Sequence, residues 1–343
     1  SWPGASRWPR SSGVESGTLR QRRLLIVSAD DLGLSDGVTE AIVSVWQAGT
    51  VTSTSAMINV EGAPERVASV HRRYPEMPIG LHLNITTGRP VLPPQQVPSL
   101  VDGRGRFWPV GRLMERLPSV RPEEVRAELQ TQAELLLATG VPLDHLDYHE
   151  AVLAMYGPLF EVVKDLARQY RVPVRHPTPE SLYGHVKWPT AGGAAGATVR
   201  KMLGFGLRHP VVAWRLMAHM SPAALKARGS ALRAEGIAAP DWFIDGFYGR
   251  ASVDDFVAML RQLPPGVSEV VTHPGRVDDQ LRALGGDYVQ QRERELSVLL
   301  DPRVRTALDE SGVELVDYSY VAGGGDSSPS LAEAPRGHYR PET

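Results

Sequence analysis

Residues Leu24–Asp31 read LLIVSADD, an apolar run that ends in two adjacent carboxylates. A short continuous apolar run is typical of a strand buried in a parallel sheet. Asp30 and Asp31 then stand at the carboxyl end of that strand, where α/β folds build their sites. Two carboxylates this close need a compensating cation or hydrogen-bond donors, so one can bind a metal while the other acts as a base. The alternative is that one of them only caps the next helix.

Beyond this run, short strand-like segments alternate with helical patterns. The predicted strands are Arg23–Ala29, Val51–Ile58, Ile79–Asn84, Leu143–His149, Val172–Arg175, Glu269–His273 and Val313–Tyr318. The predicted helices are Gly37–Ala48, Ala63–Tyr74, Pro122–Thr139, Pro158–Gln169, Val253–Gln262 and Gln290–Leu299. Such alternation indicates a parallel sheet with right-handed crossovers. About seven strands over roughly 300 residues predict an α/β, TIM-like (β/α) barrel, incomplete or distorted, with a long inserted segment. The absence of both glycine-rich nucleotide motifs counts against an open nucleotide-binding sheet.

Composition narrows the function further. Hydrophobic residues make up 42% of the 343, and we predict one domain over residues 22–320 with an insertion around residues 181–245. The net charge of −2 gives no electrostatic drive toward nucleic acid. No run approaches the roughly 20 apolar residues that span a bilayer. Because cysteine is absent, a metal would have to be held by His, Asp or Glu.

The ends and two long segments depart from the alternating pattern. Residues 1–21 lack the apolar segment of a complete signal peptide, so we expect a disordered leader in a cytoplasmic protein. Residues 321–343 are rich in Gly, Ser and Pro, which predicts a disordered tail. Residues 86–117 predict a long loop. Residues 181–245 are compatible with a lid, a dimer arm or a partly mobile cap, which leaves a homodimer open.

Two histidines end predicted strands. His82 alternates with leucines in Gly80–Asn84 (GLHLN), so it lies on the face opposite to them, which is the interior of a barrel. His273 follows a β-branched run and is succeeded by Pro-Gly. Since the pKa of imidazole lies nearest neutrality, His273 is a candidate metal ligand or general acid. The alternative for His82 is a core histidine bonded to a backbone carbonyl, and the alternative for His273 is a histidine that fills a turn.

The densest polar cluster is Asp144–Glu150 (DHLDYHE). In a strand, His145, Asp147 and His149 share one face. His149 then reaches the mouth of the barrel, and His145 lies deeper with a structural role. Asp147 is placed to orient a ligand imidazole. In a helix, His145 and His149 would share a face at i, i+4 as in helical zinc motifs, but Pro142 just before the cluster favours a strand. A solvated charged loop is the other alternative.

Arg175 completes the set, because its planar guanidinium can clamp a carboxylate. Polar side chains thus end five predicted strands: Asp30 with Asp31, His82, His149, Arg175 and His273. One aspartate and two histidines are sufficient to hold a divalent ion with open positions. The remaining aspartate and histidine would supply the base and the acid of a hydrolase.

Several segments together resemble the ChbG/HpnK (YdjC-like) carbohydrate deacetylase family, over roughly residues 23–318. They are Leu25–Ser35 (LIVSADDLGLS), Gly49–Thr54 (GTVTST), Gly80–Pro90 (GLHLNITTGRP), His145–His149 (HLDYH), Thr272–Gly275 (THPG) and a late R-x-x-E-L element formed by Arg292, Glu295 and Leu296. The resemblance implies a TIM-like barrel that removes acetyl groups from N-acetylated sugars with a divalent metal.

Site residues follow from the matched motifs. The resemblance implies that Asp31, His82 and His149 bind the metal, for which two imidazoles and one carboxylate favour zinc over magnesium, nickel or cobalt. It also implies that Asp30 is the base and that His273 is the acid or oxyanion partner. Arg175-His176-Pro177 is similar to the arginine motif that steadies the base in the wider deacetylase group.

The third motif departs from the family. Members that act on chitooligosaccharides usually continue it with further histidines, whereas Glu150–Leu153 (EAVL) stands here. We therefore expect a different N-acetylated sugar or glycoconjugate as substrate. The alternatives are hydrolysis of another amide or of a phosphoester on the same barrel, and a non-catalytic carbohydrate-binding protein. Five aromatic residues in or just after the long segments are candidates for stacking on sugars, with ordinary packing as the alternative: Phe107, Trp108, Trp242, Phe243 and Tyr248.

Overall fold

A curled parallel sheet organises the α/β fold in a computed structural model, which describes residues 22–189, 207, 210–285 and 288–323. The strands are β1 (Arg23–Leu32), β2 (Ser53–Ala56), β3 (Ile79–Leu83), β4 (Leu146–Tyr148), β5 (Trp242–Ile244), β6 (Gly266–Thr272) and β7 (Glu314–Leu315). Their order is β4-β3-β2-β1-β6-β5, and β7 pairs with the first half of β1. Every strand pair in the sheet is parallel, so the carboxyl ends meet at one edge.

Helices follow most strands. The α-helices are α1 (Asp36–Gln47), α2 (Ala63–Arg73), α3 (Val110–Arg116), α4 (Pro122–Ala138), α5 (Val152–Met155), α6 (Gly157–Tyr170), α7 (Pro210–Met220), α8 (Pro222–Ala234), α9 (Val253–Gln262), α10 (Asp279–Leu284), α11 (Gln290–Leu299), α12 (Pro302–Glu310) and α13 (Tyr318–Ala322). Short 3₁₀ turns lie at Pro94–Gln96, Leu117–Ser119, His149–Ala151 and Glu180–Leu182. Within the described ranges, no helix has both the length and the apolar character needed to cross a membrane.

Strand β1 lies at the centre of the sheet because both of its faces are apolar over its first half. Leu25 and Val27 pack in the large core beneath the helices. Leu24 and Ile26 face the other side, where they pack with residues near the chain end such as Tyr318. Farther along β1, this second face becomes polar. The sheet therefore has an apolar floor at its amino end and a polar surface at its carboxyl end.

The predicted strand Val172–Arg175 is wrong as a regular strand. Its contribution is a single parallel bridge between Val174 and Leu146 of β4. Pro173 has no N–H to donate to a ladder, which explains the irregularity. Another parallel bridge joins Pro179 to Phe243 of β5. The segment 172–179 therefore lies between β4 and β5.

The sequence missed β5, a three-residue strand inside the segment predicted as an insertion. Of that segment, the structure describes α7, α8 and β5, while residues 190–206 and 208–209 lie outside the described ranges. The six predicted helices are confirmed, each with ends within one residue of the observed ends. The predicted leader at residues 1–21 and the tail from residue 324 onward also lie outside the described ranges, whereas the tail's first residues complete α13.

Candidate active site

Asp30 and Asp31 lie side by side at the end of β1, and both are buried. Regular alternation would send adjacent side chains to opposite faces of the sheet. Here Asp31 has a φ of 76°, a left-handed conformation that is uncommon outside glycine, and the β1–β2 register shifts between Ala29 and Leu32. This local distortion lets both carboxylates approach one imidazole. It is the kind of strain that concentrates at functional sites.

Neither aspartate caps the following helix. Ser35 does so instead, because its Oγ accepts a hydrogen bond from Val38 N at 3.2 Å. The capping alternative for Asp30 and Asp31 is therefore wrong. Both carboxylates remain available for the site.

Asp31, His82 and His149 are three potential metal ligands that lie close together. Asp31 Oδ1 lies 3.4 Å from His82 Nε2 and 3.3 Å from His149 Nδ1, and the two imidazole nitrogens are 3.2 Å apart. Ligands bound to zinc at about 2.0–2.1 Å in a tetrahedron are themselves roughly 3.3 Å apart. Asp31 Oδ1 is buried, and no donor among the described residues forms a hydrogen bond with it. A divalent cation would satisfy this oxygen, so the three side chains fit such an ion.

The ring of His82, on β3, is oriented from behind by Asp147 of β4. His82 Nδ1 lies 2.8 Å from Asp147 Oδ1, and Ser55 Oγ donates to Asp147 Oδ2 at 2.8 Å. A hydrogen bond donated by Nδ1 leaves the lone pair of Nε2 for a metal. Burial alone would lower the pKa of His82, but Asp147 and Asp30 outweigh it and raise the pKa to about 9. A metal ion would compete with that proton.

His149 follows β4 immediately, in a strained turn. Glu150 and Ala151 both have a φ of 56°, again in the left-handed region. The turn leaves His149 Nδ1 facing the cluster, while its Nε2 lies 3.2 Å from Thr87 Oγ1. The deeper His145 stacks on Tyr318 with ring centroids 3.8 Å apart, outside the cluster. The structure thus separates the two histidines of the motif in the way that the strand hypothesis predicts.

Arg175 holds Asp30. Its Nη1 and Nη2 each donate to one carboxylate oxygen of Asp30 at 2.7 Å, a bidentate pair. The same guanidinium lies 2.8 Å from Asp147 Oδ2 and donates from Nε to Glu269 Oε1 at 2.8 Å. These carboxylates outweigh burial and raise the pKa of Arg175 well above its usual value. Asp30 is therefore fixed in position by a permanent cation.

A second set of side chains, Asp30, His82 and Asp147, is also close enough to hold an ion. Its two carboxylates are already paired with Arg175, and His82 reaches it through the nitrogen that bonds Asp147. The set around Asp31 has a carboxylate oxygen with no hydrogen bond to a described residue, and two imidazole nitrogens that contact only each other and that oxygen. The chemistry of the donors therefore favours the Asp31 set.

His273 follows β6 on the opposite side of Asp30. Its backbone N–H donates to Glu295 Oε2 at 2.5 Å, and Tyr288 Oη donates to the other carboxylate oxygen. The ring lies edge-on to Tyr248, with centroids 5.3 Å apart. Its Nδ1 is buried and bonds no other described residue. Burial lowers the pKa of His273 to about 4, which keeps the imidazole neutral at pH 7.

The sequence analysis did not single out Glu269, and it named Glu295 only as part of the late R-x-x-E-L element. In the structure Glu269 bonds Arg175 and Glu295 bonds the backbone of His273. The signal for Glu269 was a charged residue inside the β-branched strand β6, where a buried charge needs a partner. Among the aromatic candidates, Tyr248 lies against His273, whereas Phe243 lies under the guanidinium of Arg175 at 5.1 Å and Phe107 is buried in the core.

A sequence model of the YdjC-like protein family matches residues 24–310. The chain belongs to this family. It is 33% identical to a carbohydrate deacetylase of Brevibacillus brevis over 86% of this chain and 98% of the relative. It is 31% identical to a chitooligosaccharide deacetylase of Proteus mirabilis over 86% of this chain and 97% of the relative.

A solved structure from Enterococcus faecalis V583 shares the fold, with a TM-score of 0.69 and 28% identity over 87% of this chain and 98% of that one. It is described as a proposed cellobiose-phosphate cleavage protein. The family membership of the YdjC-like chain, predicted from its motifs, is thereby confirmed.

Proposed function

We propose that this YdjC-like protein is a metal-dependent hydrolase that removes the N-acetyl group from an amino sugar or glycoconjugate, giving acetate and a free amine. The observation that carries the proposal is the triangle of Asp31, His82 and His149 beside a separately anchored aspartate, Asp30. The curated relatives named as carbohydrate deacetylases support the substrate class.

The proposed cofactor is one divalent cation held by Asp31, His82 and His149. When bound, it would supply Lewis acidity that polarises the acetyl carbonyl and lowers the pKa of water. Two imidazoles and one carboxylate favour zinc, with magnesium, nickel or cobalt as alternatives.

In this proposal Asp30 accepts a proton from the attacking water. Arg175 supports that role, because its bidentate contact fixes the carboxylate in position. His273, as a neutral imidazole, then relays to the departing amine nitrogen the proton that Asp30 took from the water. Glu295 accepts a hydrogen bond from the backbone N–H of His273, and the ring of Tyr248 contacts the ring of His273 at the side of the site.

We propose that the curled sheet is a distorted TIM-like barrel. The irregular segment 172–179 supports this, because it bridges β4 on one side and β5 on the other. In such a barrel the site lies at the carboxyl ends of the strands. A cytoplasmic location, a homodimer and the predicted domain boundaries stay predictions from the sequence.

A phosphoester is the second candidate substrate, favoured by the description of the Enterococcus faecalis structure. The test incubates the zinc-loaded protein with N-acetylglucosamine, di-N-acetylchitobiose and phosphorylated cellobiose, and follows loss of an acetyl unit by mass spectrometry and release of phosphate by colorimetry. We expect loss of acetyl and no phosphate. Phosphate release without loss of acetyl would replace the proposal by the second candidate, and binding without any turnover would leave a carbohydrate-binding protein.

A further inference from the structure

Arg292 is a buried arginine at the site. It belongs to the late R-x-x-E-L motif, but that motif assigns it no role and the proposed mechanism does not use it. It lies on α11 and is 6% exposed. Its Nη2 donates to Asp31 Oδ2 at 2.5 Å, and its Nε donates to the backbone carbonyl of Tyr288 at 3.1 Å. Its Nη1 is also buried and has no acceptor among the described residues.

The surroundings of Arg292 show that its position is built into the fold. Gly275 N donates to the carbonyl of Arg292 at 3.2 Å. A Cβ at Gly275, two residues after His273, would lie 3.1 Å from both Cβ and Cδ of Arg292. The absence of a side chain at Gly275 therefore leaves room for the aliphatic part of the arginine side chain. One helical turn later, Glu295 bonds the backbone of His273. The late R-x-x-E element thus joins Asp31 to the His273 turn.

A buried guanidinium with an unused N–H group calls for a ligand. Buried charged groups are normally hydrogen-bonded, because an unpaired donor loses its hydration without compensation. Asp31 presents Oδ2 to Arg292 and Oδ1 to the two imidazoles. Since Nη1 and Nη2 share one carbon atom, the unused donor lies next to the proposed metal cluster. Its ligand should therefore be an electron-rich oxygen of the substrate.

We propose that Arg292 is a further catalytic residue: Nη2 orients Asp31, and Nη1 donates a hydrogen bond to the acetyl oxygen as that oxygen becomes negatively charged. This inference rests on the proposed deacetylation. In that reaction the water oxygen bonds to the carbonyl carbon, the π pair moves to the acetyl oxygen, and Asp30 takes the water proton. The pair then returns and the C–N bond breaks, while the proton held by Asp30 passes through His273 to the amine nitrogen, so that acetic acid and a neutral amine leave and both residues return to their starting states.

The kinetic test compares Arg292→Met and Arg292→Lys with Arg294→Met, an exposed arginine on the same helix. For Arg292→Met we expect kcat to fall about 10²- to 10³-fold, as for loss of an oxyanion donor, with KM within about threefold. Arg292→Lys should recover part of kcat because it keeps the charge, and Arg294→Met should match the wild type. An unchanged kcat, or a loss that excess zinc restores, overturns the inference.

A binding test separates this inference from the proposed function. Methylphosphonate resembles the tetrahedral species formed from an acetyl group, and its affinity for the zinc-loaded protein is measurable by calorimetry without turnover. We expect roughly 10- to 100-fold weaker binding to Arg292→Met than to wild type and Arg294→Met, the loss typical of a charged hydrogen bond. Equal binding overturns the inference. If Arg292→Met binds methylphosphonate more weakly than the wild type does, but the wild type deacetylates none of the sugars, the anion site is retained and only the proposed function is removed.

Discussion

Two buried arginines flank the site, and they differ in how their donors are used. Arg175 contacts three carboxylates through all three nitrogens of its guanidinium. Arg292 contacts one carboxylate and keeps one nitrogen without an acceptor in the described part of the chain. All three nitrogens of the Arg175 guanidinium find acceptors within the protein, whereas Nη1 of Arg292 needs a ligand to accept its hydrogen bond. The difference indicates that Arg175 builds the site, whereas Arg292 acts on the substrate.

The largest expected effect is that of Arg175→Met. Breaking a buried ion pair by removing one partner typically costs about 3–5 kcal/mol, and here it leaves Asp30, Asp147 and Glu269 without their cation. We expect the free energy of unfolding in urea to fall by that amount, whereas Arg292→Met should lose less because one carboxylate is affected. Equal losses for the two variants would remove the distinction between them.

Asp30→Asn tests the base on the Arg175 side. The amide keeps the shape of the carboxylate but accepts no proton, so we expect kcat to fall about 10²- to 10⁴-fold while zinc content stays at the wild-type level. Asp36→Asn, at an exposed position on α1, is the matched control. Retained activity would remove Asp30 from its role, and loss of zinc would place it among the metal ligands.

The burial of His176, which follows Arg175 in sequence, should make the free energy of unfolding depend on pH. Its ring packs against Gly229 and faces Arg233 and Asp241, and burial lowers its pKa to about 4. Because the pKa of an unfolded histidine is about 6.5, this group contributes stability that is present above pH 6.5 and is lost as the pH falls through 4. We expect a loss of about 3 kcal/mol from His176, measured by urea unfolding between pH 7 and pH 4.

The matched variant for this prediction is His176→Gln, which has no titrating group. Its unfolding free energy should depend less on pH over the same interval. An identical pH dependence in the two proteins would show that other groups produce the effect.

Asp147→Asn should have the smallest effect. Loss of a carboxylate that orients a ligand histidine typically costs 10- to 100-fold in metal affinity. Zinc titration against a chelator should show this loss, and Asp144→Asn, which changes the partner of His145 outside the cluster, should show none. Unchanged affinity in Asp147→Asn would mean that His82 does not depend on Asp147 for its orientation.

Much of the Arg175 region was predictable from sequence, because parallel strands bring their carboxyl ends together. The position of a polar residue at the end of an apolar run can therefore be predicted from sequence, as it was for Asp30 and His82. The irregular pairing around Arg175 was harder, since Pro173 interrupts the strand. Strand β5 was missed because three residues carry too little periodicity to separate a strand from its aromatic surroundings.

The Arg292 region was not predictable in the same way. Arg292 and Asp31 are 261 positions apart, and their contact depends on how α11 packs against α1, the helix that follows β1. Nor does local sequence reveal the left-handed backbone of Asp31, which a non-glycine residue adopts only when its surroundings impose it. The late R-x-x-E-L motif marked the residues but not their contacts.

The most direct test of the proposed metal site is anomalous diffraction from a crystal of the protein soaked in a zinc salt. The proposed metal site predicts one strong peak about 2.0–2.2 Å from Asp31 Oδ1, His82 Nε2 and His149 Nδ1, with Asp30 still paired to Arg175. A peak between Asp30, His82 and Asp147, or no peak near His82, would contradict it.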